Sequence, residues 1–323
     1  MITYRTIQTG GFAFALCLLS AFFVSCSDTW DDHYDGSPSS IKNEGSLWSA
    51  IEGNASLSNF ASVLTATGYD RELNGKQVFT VFAPTNDKFT ADQAAQLIEQ
   101  YKTQQAAQSR DEDNTTVKEF VRNHIALYNY SVAPDKSDTI SIVMMNGKYQ
   151  KLTHDAFGST ALKTFNALYD NGVLFTIDST ASYTPNVFEY FGKDPDLSGA
   201  NAFLPNSRHY RLDFDAAHSV PGEIVNGRTQ YVDSVFTFEN DLFDNDALNA
   251  DINDEDSTYW MITPTNTLWE SLVTQYEPYF NYHESAMKNT DKTKGDLDSL
   301  IYTNTRMAVL GGTVFSRNVN PDT

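Results

Sequence analysis

The chain has 323 residues, with 42 acidic against 22 basic side chains and a formal net charge of −20. No Lys/Arg cluster interrupts that acidity, which excludes a nucleic-acid or anionic-membrane surface, since both need a basic patch. The length accommodates about two domains, and with two cysteines the fold has to rest on its core rather than on a disulfide framework.

The N-terminus comes first. Arg5 is the only charged residue before Asp28, and Gly11 to Val24 is an apolar run broken only by Ser20. Such a run is too short to cross a bilayer and suits the h-region of a signal peptide. It leads into Phe23-Val24-Ser25-Cys26, which resembles the lipobox of bacterial lipoproteins with Phe23 where Leu is usual. The resemblance implies removal of residues 1–25, lipidation of Cys26 and an outer-membrane, lipid-anchored protein whose only membrane contact is that anchor. An uncleaved anchor is the alternative. Cleavage removes Arg5 and no acid, so −20 becomes −21. It also removes Cys17 and leaves Cys26 alone, so the mature chain has no intrachain disulfide. Residues 26–45 read as a tether, acidic at Asp28, Asp31, Asp32 and Asp35, then flexible at Gly36-Ser37-Pro38-Ser39-Ser40. The acidic stretch resembles the surface-export signal of Bacteroidetes lipoproteins; a solvated spacer without an address is the other reading.

From Ser46 the pattern becomes that of a folded domain. Leu47, Trp48, Ile51 and Ala55 recur at helical spacing, as do Phe60, Val63 and Leu64, and Gly68 closes that stretch. Val78 to Ala83 predicts a buried strand ended by Pro84, with Thr85 or Asn86 capping a helix over 91–108. Val117, Phe120, Val121, His124 and Ile125 lie on one face of a further helix. Then the period changes to two: Tyr128, Tyr130 and Val132 alternate, followed by Ile140, Ile142 and Met144, a two-residue hairpin turn at Asn146-Gly147, and Tyr149 with Leu152. Val173 to Ile177 predicts another buried strand. Helices first and strands later, in one unit over 46–182, give an α+β class.

Part of this order returns over 183–323. Tyr259 to Asn266 repeats the plan of Phe79 to Asn86, and Val187 to Phe191 with Asp196-Leu197-Ser198 echoes Leu47 to Ile51 with Ser56-Leu57-Ser58. Between these pieces lies an insertion over about 199–258 that reads as extra strands, with a hairpin at Asn226-Gly227. Met307 to Leu310 aligns with Ile125 to Tyr128, and only 13 residues follow Leu310, against the 50 from Asn129 to Asp178. The expectation is one full copy and one C-terminally incomplete copy.

The runs Phe79-Thr80-Val81-Phe82-Ala83-Pro84-Thr85-Asn86-Asp87-Lys88-Phe89, Asn123-His124-Ile125 and Asn171-Gly172-Val173-Leu174-Phe175-Thr176-Ile177-Asp178 resemble the fasciclin (FAS1) domain family. Residues 46–182 carry the resemblance well and 186–323 in part, and the whole is similar to fasciclin-containing surface lipoproteins of Bacteroidetes. It implies a β-sandwich or wedge with helices packed along one edge, and roles in adhesion and in matrix or glycan contact. In animal members a Tyr-His pair near the end of the central helix is tied to integrin contact. Here that place reads Asn123-His124, with Arg306 near the equivalent place in the second copy and Phe175 where the closing strand usually has a histidine.

His124 and Asn123 are therefore candidate interaction residues, although His124 also has the surroundings of a core histidine bonding backbone. Thr85, Asn86, Asp87, Thr265 and Asn266 read as caps. The carboxylate-rich run Asp244 to Asp256 lacks the glycine and the alternating register of a calcium loop. Tyr276, Tyr279, Phe280, Tyr282 and His283 cluster around Pro278; Tyr279 and Tyr282 are candidates for stacking on sugar, against the alternative of packing on the Trp269 helix. The histidines at 33, 124, 154, 209, 218 and 283 form no HExxH or other metal spacing, and neither a G-x-S-x-G elbow nor a phosphate loop occurs. No enzyme activity, cofactor or metal is expected. The sequence points to a surface lipoprotein that contacts an extracellular protein, matrix component or glycan; an accessory glycan-binding lipoprotein of a polysaccharide uptake system is the alternative, and a spacer with no ligand is a third reading.

Overall fold

The computed structural model describes residues 43–107, 113–132, 139–204, 210–225, 228–243, 248–280 and 293–316. The chain divides into two units between Tyr183 and Thr184. Cys26, the leader and most of the tether lie outside the described residues, as do the Asn226-Gly227 turn, Asp244, Asp246, Tyr282 and His283.

In the first unit, α1 (Leu47–Glu52) starts at Ser46, whose hydroxyl accepts from Ser49 N, and it buries Leu47 and Ile51. A 3-10 turn (Ala55–Leu57) leads into α2 (Ser58–Thr67), which buries Phe60, Val63 and Leu64. Gly68 stops α2 at φ +83°, the left-handed position that ends helices cheaply only for glycine. α3 (Tyr69–Leu73) precedes β1 (Phe79–Pro84), all six residues of which are buried. Neither Thr85 nor Asn86 caps the next helix, α4 (Ala91–Ala106). That role belongs to the Thr90–Gln93 capping box, a Thr-x-x-Gln pattern.

A π-helical segment (Thr116–Val121) and seven strands complete this unit: β2 (Ile125–Leu127), β3 (Ile140–Val143), β4 (Tyr149–Leu152), β5 (Ala156–Phe157), β6 (Thr160–Tyr169) and β7 (Gly172–Ile177) join β1. The sheet runs β2-β1-β7-β6-β5-β4-β3, parallel only between β1 and β7. Its two end strands meet through the Ala126–Met144 bridge and the bond from Met145 N to Ile125 O, 2.8 Å, so the sheet curls back on itself. The period-two alternation of strands then separates two cores. Phe82, Phe157, Phe175, Ile142 and Leu152 fill the inside of the curl, with Phe82 stacked on Phe157 at 3.8 Å and on Phe175 at 5.0 Å. Phe79, Val81, Ala83 and Leu174 face outward and pack against α1, α2, α4 and the π-helix. The class is α+β, with the helices laid over the β1–β7 region of the sheet.

The expected helix over 117–125 stops at Val121. Arg122 N bonds Val117 O, one residue further back than in an α-helix, and Ile125 is taken by β1 opposite Val81. Tyr128 is not in a strand: its φ is +68°. The turn at Asn146-Gly147 has three residues rather than two, with Gly147 N bonding Met144 O, Met144 N bonding Lys148 O, and Gly147 at φ +81°. β5 and β6 have no counterpart among the strands expected from the sequence.

The second unit runs α5 (Val187–Tyr190), a 3-10 turn (Pro195–Leu197), α6 (Ser198–Phe203), the antiparallel ribbon β8 (Tyr210–Val225) and β9 (Arg228–Asn240), β10 (Tyr259–Met261), α7 (Asn266–Tyr276), a 3-10 turn (Glu277–Phe280), α8 (Lys294–Leu310) and β11 (Val314–Ser316). Its core gathers Phe203, Leu204, Leu242, Ile252, Trp269 and Leu310. β10 pairs β11 with Tyr259 opposite Ser316 and Met261 opposite Val314, as β1 pairs β2 with Phe79 opposite Leu127 and Val81 opposite Ile125. The alignment of Met307–Leu310 with Ile125–Tyr128 therefore fails: those residues close α8, and the strand comes seven residues later. Ile262 N bonds Thr313 O just as Phe82 N bonds His124 O, so the residue placed like His124 is Thr313, not Arg306.

Candidate functional site

The segment after β7 is held by the two residues singled out from the sequence. His124 and Asn123 are fully buried, in the turn between the π-helix and β2. Nδ1 of His124 contacts Phe120 O at 2.7 Å, and Nε2 accepts from Ala181 N at 3.0 Å. A carbonyl only accepts and an amide N–H only donates, so the ring is neutral with its proton on Nδ1. Phe60 and Phe120 flank the ring at 5.8 and 4.6 Å. Burial among these groups lowers its pKa to about 4, against the smaller opposing effect of the Phe120 carbonyl.

Asn123 works beside it. Its amide donates to Ala181 O at 3.3 Å and Ser182 O at 3.4 Å, and its oxygen accepts from Asn146 Nδ2 at 3.1 Å. Asn146 also donates to Lys118 O at 3.0 Å, which joins the π-helix, the β3–β4 turn and the post-β7 segment in one chain of bonds. Buried, and with their polar atoms committed to backbone and to the Asn146 side chain, His124 and Asn123 position this segment in the structure. Phe175 lies in the core against Phe82.

What the unit does present is Tyr128, 72% exposed. A bulky residue at φ +68° is an outlier that the surroundings must enforce. They do so by three bonds: Tyr128 N donates to Val78 O at 3.2 Å, the Thr80 hydroxyl donates to Tyr128 O at 2.8 Å, and the Thr80 oxygen accepts from Tyr130 N at 2.9 Å. The exposed side chains of Leu127 and Val78 belong to the same edge. The alternation of Tyr128, Tyr130 and Val132 predicts a strand through Tyr128, and nothing in the sequence marks its left-handed backbone.

At the far end of β1, Lys88 Nζ lies 2.6 Å from the Asp178 carboxylate, which holds that carboxyl below its usual range. Lys163 reaches both Thr85 and Asp87. These pairs tie the β1, β6 and β7 exits together, and the role of Thr85 and Asp87 is this one rather than capping.

In the second unit, Tyr279 is 80% exposed on its 3-10 turn, while Tyr276 and Phe280 are half-buried. Asp251 and Asp254 accept from the backbone N of Asn253 and Asp256, closing turns rather than a cation loop. Among the described residues no group of three or more His, Cys, Asp or Glu could hold a metal ion.

Residues 55–181 match the Fasciclin domain. No curated protein matches the chain. Among solved structures, a FAS1 domain pair from the insect cell adhesion molecule fasciclin I is similar at 14% identity and a TM-score of 0.31, over 42% of this chain. The match spans half the length of that structure's chain. Residues 55–181 of this chain are a fasciclin (FAS1) domain.

Proposed function

We propose that this protein is a non-catalytic cell-surface lipoprotein that mediates adhesion to an extracellular protein or matrix component through the FAS1 domain of its first unit. The observation that carries this reading is Tyr128, an exposed aromatic held against its own backbone preference by Val78 and Thr80. Conformational strain with no packing return is retained where the side chain is used, and exposed tyrosines anchor interfaces at low entropic cost. The buried His124–Asn123 clasp fixes the end of the domain and takes no part in contact. Residues 183–323 act as a second FAS1-like unit, and the lipid on Cys26 holds the chain at the outer membrane with its acidic tether outward.

The test is binding of the full chain to an array of purified matrix proteins and glycans. Saturable protein binding that is lost in Tyr128→Asn supports the reading, because Asn tolerates the left-handed backbone and removes only the ring. Binding confined to glycans, and abolished by Tyr279→Ala instead, moves the protein to the glycan-capture reading. Lipid attachment is checked separately: labelled palmitate incorporation should vanish in Cys26→Ser.

A further inference from the structure

A cleft of about 320 Å³ opens between α7 and α8 of the second unit. Val273 and Ile301 give it an apolar lining, Glu277 and Asp298 contribute carboxylates, and Thr305 and Arg306 face it from α8. Thr305 is 1% exposed, and its hydroxyl has no hydrogen-bond partner among the described residues. A helical threonine commonly bonds the carbonyl four residues back; this one does not, and a buried unpaired hydroxyl is a costly arrangement that calls for a partner from outside the fold.

Arg306 is held in place rather than free to sweep. Its guanidinium lies 3.6 Å over the Tyr302 ring, and Nη1 donates to Tyr302 O at 3.2 Å. Among the described residues it forms no ion pair, so donors remain for another group. The cleft thus offers one fixed cation, two carboxylates and one buried neutral hydroxyl over an apolar lining.

We propose that this cleft binds a neutral polyhydroxyl ligand, a pyranose sugar ring. An anion drawn to Arg306 would enter a site whose other charges are two carboxylates, and a simple cation drawn to those carboxylates would meet Arg306. A sugar hydroxyl both donates and accepts, so neighbouring hydroxyls serve Glu277 or Asp298, Arg306 and Thr305 together without bringing charge. The C–H face of the ring suits Val273 and Ile301, and the volume falls within the range of small-ligand pockets. The proposal does not depend on the adhesive role of Tyr128, since every residue it uses belongs to the second unit.

The experiment is saturation-transfer NMR on the full chain with methyl α-glucopyranoside, methyl α-mannopyranoside and methyl β-galactopyranoside, with glycine and free lysine as charged comparators. Saturation transfer to at least one glycoside is expected, with affinity about tenfold weaker in Thr305→Val, roughly one hydrogen bond's share. That variant keeps the side-chain shape and removes an unpaired hydroxyl, so its thermal unfolding should match the parent; Arg306→Met serves as a second variant. No transfer to any glycoside, equal affinity in both variants, or tighter binding of glycine or lysine overturns the proposal.

Discussion

Asn86 and Asn266 make the same pair of hydrogen bonds in their respective units. Asn86 Oδ1 accepts from Asn59 N at 3.2 Å and its amide donates to Ala55 O at 3.0 Å. Asn266 Oδ1 accepts from Gly199 N at 2.9 Å and its amide donates to Pro195 O at 2.9 Å. In both units the asparagine follows a strand with Pro-Thr-Asn and reaches back to the junction of a 3-10 turn with an α-helix. One side chain so satisfies a free N–H of the helix start and a carbonyl of the turn before it. Each Asn→Ala change should cost about 1–2 kcal/mol, the range of a lost cap, measured as a fall in the urea midpoint at constant slope. Unchanged midpoints at both positions would remove these residues from the account of stability.

Gly172 and Gly68 separate two reasons for a glycine. A Cβ on Gly172, at φ +147°, would stand 1.9 Å from Phe79 O, inside the parallel β1–β7 ladder. Gly68, at φ +83°, has nothing within 4 Å. Gly68→Ala should therefore cost about 1–2 kcal/mol, the strain of the left-handed backbone alone. Gly172→Ala should exceed about 4 kcal/mol and leave the first unit unfolded, since the strands cannot approach. Circular dichroism melts of the two variants check this; similar melting temperatures would show that the ladder tolerates the methyl.

These positions also mark what the sequence disclosed. The Asn171-Gly172 pair was visible as a motif. Its reason was not: Asn171 accepts from Leu47 N at 2.8 Å and donates to Leu73 O and Gly75 O at 2.8 and 2.9 Å, joining segments 96 to 124 residues away to the start of β7. β1 and β7 were legible because their fully buried runs leave no competing period. β6 was not: two register shifts and Asn166 at φ +44° spoil its alternation. His124 was read onto a helix because Val117, Phe120 and Val121 continue to it at helical spacing. The buried face is real, but strand pairing at Ile125 takes over before the helix reaches it. Asn86 is expected to cap the helix that follows it, but its Oδ1 accepts from Asn59 N at the start of α2, a helix that precedes it in sequence and that only folding brings back to it. The site fared least well, since the backbone angle that distinguishes Tyr128 leaves no trace in composition.

Tyr128 yields a prediction about stability as well as binding. Replacing it by Asn, which visits the left-handed region at lower cost, should relieve strain of about 1 kcal/mol without touching the core. A rise of a few degrees in the melting temperature is expected, together with loss of matrix-protein binding. A fall in melting temperature would mean that the ring contributes packing greater than the strain it carries.

His124 makes the first unit sensitive to acid in a defined window. Its pKa is about 4 in the folded state against an ordinary 6.5, so between these values the unfolded chain binds the proton that the folded chain excludes. Stability therefore rises with pH from about 4 to 6.5 and is lost as pH falls through that interval; below it both states are protonated and this contribution is flat. The shift corresponds to about 3 kcal/mol. Protonation of Nε2 would also turn the acceptor of the Ala181 N–H into a second donor facing it, so acid should release the segment after β7 first. His124→Phe removes the titration and leaves the Ala181 N–H and Phe120 carbonyl without their ring partners. It should be less stable than the parent at pH 7, by about 1–3 kcal/mol for the unpaired groups, with a flat profile between pH 4 and 6.5. Urea denaturation across that range, with amide exchange at Ala181 as the local readout, distinguishes the two curves. A parent whose stability does not change between pH 6.5 and 4 would show that the ring is protonated in the native clasp.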